Sequence, residues 1–216
     1  MIITNAMISM VTNLTSWIAG GGIYYIFNEK ARGIKLKQIE EVSSVLINFV
    51  LLIWLSKVVL NFSSFLSEPL TILAYPGASD TFYLAFIFSS VWFMYRYGRD
   101  KGDRGALIET FAVMFLLSSI VHEMIQLVWN GNPDAFGHIV LAALILIVFL
   151  ILEKKVSMKY LLMGLLALWS AGMMLLSSLY PVVTVFGYTM RPGFLVLFFI
   201  VSILIIIFTV GKEDES

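Results

Sequence analysis

Of the 216 residues, 60% are hydrophobic and 13% charged, and the 14 basic and 14 acidic side chains cancel to a formal charge of +0. Soluble domains use about 45–50% apolar and about 25% charged residues, so this balance, with a mean hydropathy of +0.93, excludes an ordinary soluble globule and predicts a polytopic membrane protein. The lack of cysteine excludes disulfides, thiol redox chemistry and thiolate metal sites, and the cations are spread over several loops, so no nucleic-acid partner is expected.

In chain order, apolar runs predict helices over residues 8–27, 42–61, 82–97, 107–129, 138–152, 160–180 and 193–210. A helix needs roughly 20 residues to cross a bilayer core of about 30 Å, and the third and fifth runs fall short of that. Lipid leaves closed helices as the default spanning element. The expected fold class is therefore all-α, a single transmembrane domain over residues 1–216 with seven transmembrane helices. No basic segment precedes the first run, which is expected to stay as a helix and not to leave as a signal peptide. Gly20-Gly21-Gly22 in the first run, and Ala167 with Ala171 in the sixth, suit close helix packing.

The cations set the orientation. Lys30, Arg32, Lys35 and Lys37 follow the first run; Arg96, Arg99, Lys101 and Arg104 the third; Lys154, Lys155 and Lys159 the fifth; Lys212 the seventh. Because Lys and Arg are retained on the cytoplasmic side, the N-terminus is expected outside and the C-terminus inside a cell membrane, the bacterial cytoplasmic membrane being the expected one. Loops 61–80, 130–137 and 181–192 then lie outside. The first of these, rich in Phe62, Phe65, Leu66, Leu70, Ile72, Leu73 and Tyr75, is expected to lie on the interface as a roof. Tyr24, Tyr25, Trp92, Tyr97, Trp129, Tyr160 and Tyr180 sit near run ends and read as an aromatic belt.

The stretch "SSIVHEMIQLVWNGNPDAFGH", residues 118–138, holds both histidines of the chain. His122-Glu123-x-x-Gln126 has the form of the zinc-protease helix motif, but Gln126 stands where the second imidazole ligand belongs. Adding His138 leaves only two imidazoles, so neither a metal nor another cofactor is expected. Depth is more informative than spacing. At 1.5 Å per residue Glu123 lies about 9 Å below Trp129, and Lys57 about 6 Å below Asn61, in one stratum. Ionisable groups at such depth face the bundle interior and pair, so Lys57 and Glu123 are expected to form an ion pair. Asn48, Asn61, His122 and Gln126 are its expected neighbours, with Asp80, Asp134, His138 and Arg191 above. In this reading His122 or Glu123 serves as acid or base, and Lys57, Asn61, Gln126, Arg191 and Asp80 bind the substrate. A plainer reading has Lys57 snorkelling to the surface and the amides joining helices.

Three stretches carry a family resemblance: "LLIWLSKVVLNF", "AFIFSSVWFMYRYGRDKGDRGALIETFAVMF" and "NGNPDAFGHIVLAALILIVFLILEKK". In this order they resemble the second span, the third span with its basic loop, and the outer turn with the fifth span of the prolipoprotein diacylglyceryl transferases. The resemblance implies seven spans with an outside N-terminus and an inside C-terminus, and a lipid as substrate or ligand. It does not extend to the family's catalytic motifs. Ser79-Asp80-Thr81 replaces the His-Gly-Gly that opens the third span, Glu123 stands about where the signature arginine belongs, and Gln126 about where its first asparagine does. Asn130-Gly131 is retained, while the late Arg-Phe-x-x-Glu element has no counterpart at residues 175–180.

These features imply an integral membrane protein with an outward-facing polar pocket that binds or modifies a lipid or lipid-linked substrate, membrane lipids being its expected partners. A second reading is a small-solute transporter of two parallel three-helix units joined by the fourth span. Its basis is the recurrence of Trp54 before Pro76-Gly77 and Trp169 before Pro192-Gly193. A third is an accessory or immunity-type protein that packs on partner membrane proteins or on copies of itself.

Overall fold

A computed structural model describes residues 2–68, 79–98 and 104–210. Its elements in order are α1 (Ile2–Phe27), α2 (Arg32–Leu60), α3 (Phe62–Ser67), α4 (Ser79–Gly98), α5 (Arg104–Val128), α6 (Ala135–Leu152), α7 (Met158–Leu179), β1 (Thr184–Val185), β2 (Tyr188–Thr189) and α8 (Pro192–Val210). Each of the seven apolar runs thus falls on a helix. Four helical stretches, Arg32–Leu60, Gly105–Val128, Ala135–Leu152 and Met158–Leu179, are long and apolar enough to cross a membrane, which makes the chain a multi-pass, all-helical membrane protein. Only 22% of the most apolar stretch of α6 is buried in the protein, and Leu144, Ile147 and Ile151 point outward; such a surface requires lipid as its solvent.

The helix α5 is central. It packs against α1, α2, α6, α7 and α8, and around it run the neighbour contacts α1 to α2, α2 to α4, α4 to α8, α8 to α7 and α7 to α6. The closest seam joins α1 and α5. Along α1 the buried residues Thr12, Ser16, Gly20 and Tyr24 recur every fourth position, and along α5 Thr110, Met114, Ser118 and His122 do the same. A side chain at Gly20 would run into Ser118, and one at Gly21 would reach 3.2 Å from the Met114 methyl, whereas nothing lies within 4 Å of Gly22. Two of the three glycines therefore permit the close approach. On α7 the tight approach falls at Gly172, against Leu141 of α6, while Ala171 is exposed.

At the end of the bundle where α1 meets α2, polar side chains join the elements. Tyr24 Oη donates to Gln38 Oε1 at 2.9 Å and lies 3.2 Å from Thr110 Oγ1; Lys30 Nζ meets Glu109 Oε1 at 3.2 Å. Lys35 Nζ donates to the carbonyls of Tyr25 (2.7 Å) and Asn28 (3.0 Å), two of the groups that a helix C-terminus leaves without intrahelical partners. Tyr24, expected in an aromatic belt, is therefore a core hydrogen-bonding residue, 3% exposed. Trp129 at 86% and Tyr160 at 66% exposure do have the outward setting that a belt requires. Of the expected outer roof, α3 carries exposed Phe62 and Leu66, and residues 69–78 lie outside the described residues.

Candidate functional site: an acid–base pair beneath a hairpin

The α5–α6 connection places the two histidines. Gly131 turns the chain with φ of 63°, Asn132 N donates to Gln126 O at 3.1 Å, and Asn132 Oδ1 accepts from Asp134 N at 3.2 Å. This tight reversal starts α6 beside the last turns of α5. His122 and His138 consequently line the same cavity, together with Ser119, Glu123, Phe115, Leu141, Trp169, Met173 and Thr184 to Phe186. The cavity, about 20 Å³, has room for a water or a single small polar substituent.

His122 and Glu123 are buried, and His122 Nδ1 lies 3.2 Å from Glu123 Oε1. Among the described residues, the close side-chain partner of Glu123 is thus its sequence neighbour. Lys57 is itself buried, on α2, where its backbone carbonyl accepts from the N–H of Asn61 at 3.1 Å and from the side-chain amide of Asn61 at 3.0 Å. Beside the expected Lys57–Glu123 pair, Glu123 thus has a second contact that its depth did not announce, because the adjacent imidazole reaches the carboxylate within the same helical turn. With the proton on Nδ1 donated to the carboxylate, Nε2 is the nitrogen left to accept a hydrogen bond.

The other candidate residues are dispersed. Gln126 Oε1 accepts from Asn130 Nδ2 at 2.7 Å on the exposed end of α5, and Asn48 Nδ2 donates to Ser44 O within α2. Asp80 and Arg191 do meet, Oδ1 to Nη1 at 3.6 Å, but with side chains 61% and 70% exposed. Such a pair contributes little to stability and leaves both groups exposed beside the hairpin. The two tryptophans of the proposed repeat differ in setting: Trp54 is 45% exposed, whereas Trp169 packs on Phe115 and Phe198 inside the bundle.

The hairpin formed by β1 and β2 was not anticipated in the loop 181–192. Thr184 pairs with Thr189 and Val185 with Tyr188, and the turn residues Phe186 and Gly187 both have positive φ, 50° and 83°. Positive φ at both central residues is the turn that matches strand twist, although its first position favours Asn or Asp over Phe. The signal was present as a β-branched and aromatic run, "VVTVFGYT", broken by glycine. Two helices hold the hairpin: Asn13 Nδ2 of α1 donates to Phe186 O at 3.2 Å, and Tyr83 Oη of α4 donates to Thr189 O at 2.8 Å while accepting from Arg191 N at 2.9 Å. Burial pushes the phenol of Tyr188 above its ordinary range. The Phe186 ring enters the bundle, stacked on Trp17 at 5.4 Å and edge-on to His122 at 5.2 Å and Phe115 at 5.8 Å. It covers the His122–Glu123 pair.

No protein-family model matches the chain, and no curated protein or solved structure matches it.

Proposed function

We propose that seven of the eight helices span a membrane with the N-terminus outside, and that the site beneath the hairpin binds or modifies a lipid or lipid-linked substrate by acid–base chemistry. Three basic clusters support the orientation, since they follow α1, α4 and α6 and so fall on one side of the bilayer. The short count from apolar length alone has a physical origin in α1. This helix turns Thr12, Ser16 and Gly20 inward to α5 and Val11, Leu14 and Ile18 outward, so its average polarity understates its lipid face.

The observation that carries the functional reading is the buried His122–Glu123 pair opening on a cavity with His138 and Ser119. In this mechanism His122 Nε2 takes a proton from a hydroxyl or water in the cavity, and Glu123 holds the imidazolium that results. Asp80 and Arg191, exposed beside the hairpin, and Lys57 on α2 supply charged contacts for a polar head group. The architectural likeness to the diacylglyceryl transferases supports a lipid partner; the absence of that family's arginines assigns a different chemistry. The test is mass spectrometry of lipids retained by purified protein, beside cellular lipid profiles of His122→Ala and Glu123→Gln strains. One lipid class enriched on the wild type and altered in both variants is the expected result. Variants that fold and leave every lipid unchanged would sink the acid–base reading.

A second reading, a solute carrier, has one observation in its favour. The helices α1, α2 and α4 are strung in order beside α5, α6, α7 and α8 are strung likewise, and the two strings meet through α4 and α8. Parallel repeats about an axis along the membrane normal give this neighbour order. Proton-driven uptake by reconstituted protein, lost on Glu123→Gln, would favour it over the lipid reading.

A further inference from the structure

We propose that the Phe186 ring holds the place of a ligand: the slot it fills is a binding site for a planar six-membered ring bearing one hydroxyl or carbonyl oxygen, of phenol or quinone type, and the hairpin withdraws to admit it. This rests on the reading above, whose site it deepens by naming the ligand class.

Three observations converge. The slot is already built for a ring, with the Trp17 face 21° from parallel at 5.4 Å and the edges of Phe115 and His122 closing two sides. The cavity with Ser119, His122, Glu123 and His138 on its wall adjoins that ring and has room for about one small polar atom group. A benzyl side chain ends in carbon and leaves this hole unused. A phenol or quinone would fill slot and hole together, its oxygen facing His122. The occupant is also held by a device suited to release. Phe186 takes a left-handed backbone conformation, φ 50°, that a bulky side chain rarely adopts and that is strained. Its hairpin has two residues per strand, and its tip is tied to α1 through Asn13 Nδ2. Phe186 is only partly buried, so the plug sits at the mouth of the site.

The chain has no cysteine, which makes a reversible lock clean. A side chain at Gly187 would come 3.6 Å from Ser9 Oγ, so Ser9→Cys with Gly187→Cys is placed to tie the hairpin tip to α1, and because a side chain at φ 83° is strained, the reduced double variant is the reference for the oxidised one. The probes are a methylated benzoquinone without a tail and the same ring with a decyl tail, added to protein in phospholipid vesicles. Binding is read as saturable fluorescence quenching that the Trp17→Phe variant lacks. Expected are binding to the wild type, loss on oxidation of the double-cysteine variant with recovery on reduction, and affinity about tenfold higher or more in Phe186→Ala, the factor for an open state populated to about 10%. Toluene, which lacks the oxygen, should bind at least tenfold more weakly than the tail-free quinone. Stronger binding of the tailed probe assigns a membrane-soluble ligand, and equal binding a free one. Equal binding to the locked and unlocked forms, quenching that does not depend on Trp17, or toluene binding as well as quinone would each overturn the proposal. The acid–base reading fails separately, if ring binding persists while His122→Ala and Glu123→Gln leave cellular lipids unchanged.

Discussion

Glu123 finds its partner one residue away on its own helix, and this changes what the site residues are worth. Both members of the pair are nearly closed off, His122 at 2% and Glu123 at 6% exposure. Removing one member of a buried hydrogen-bonded pair leaves the other unsatisfied and costs about 1–3 kcal/mol, whereas replacing both by apolar groups avoids that penalty. His122→Ala and Glu123→Gln should therefore each lower the unfolding temperature in detergent, and the double variant should lose less than the sum of the singles. Strict additivity would mean that the two side chains do not interact. Depth along the chain indicated that Glu123 is buried. It could not indicate the His122 contact, because depth along a helix does not say toward which neighbour a side chain turns.

At the scale of elements, the α1–α5 seam depends on residues whose importance is their small size. A Cβ at Gly20 would overlap Ser118, backbone included, while the same change two positions on meets nothing within 4 Å. Gly20→Val is expected to push α1 from α5 and to destabilise the protein by about 1–3 kcal/mol through overpacking, with Gly22→Val nearly neutral. Thermal melts of the two variants in one detergent check this, and equal losses would contradict the seam. The glycine triplet announced a close contact, but which glycines face the neighbour follows from the helix's rotation. The hairpin is the converse case. Its turn signal, Phe-Gly after a β-branched run, was available but short, and two-residue strands become stable only because Asn13 and Tyr83 reach them from α1 and α4.

For the whole molecule, the orientation is open to direct test. Single cysteines at Val182, in the segment leading to the hairpin, and at Gly33, at the start of α2, are both exposed. A membrane-impermeant maleimide should label Val182→Cys in intact cells and Gly33→Cys only after permeabilisation. The reverse pattern would invert the molecule and place the His122 cavity on the inner side.

What the sequence determined by itself was the solvent and the element plan. Apolar runs of nearly membrane-spanning length leave no alternative to helices in lipid, so all seven predicted runs are helical. His122 and Glu123 were also legible as candidates, because an ionisable pair deep in an apolar run is too costly to leave facing hydrocarbon. Tertiary structure alone decided which polar groups meet. It joined His122 to Glu123, brought His138 and Ser119 to the same cavity, left Asp80 and Arg191 exposed and apart from it, and put Phe186 over the pair. The physical reason is that periodicity along one helix specifies depth and face, whereas a site assembled from α1, α5, α6, α7 and a hairpin depends on how those faces turn toward one another, which packing determines.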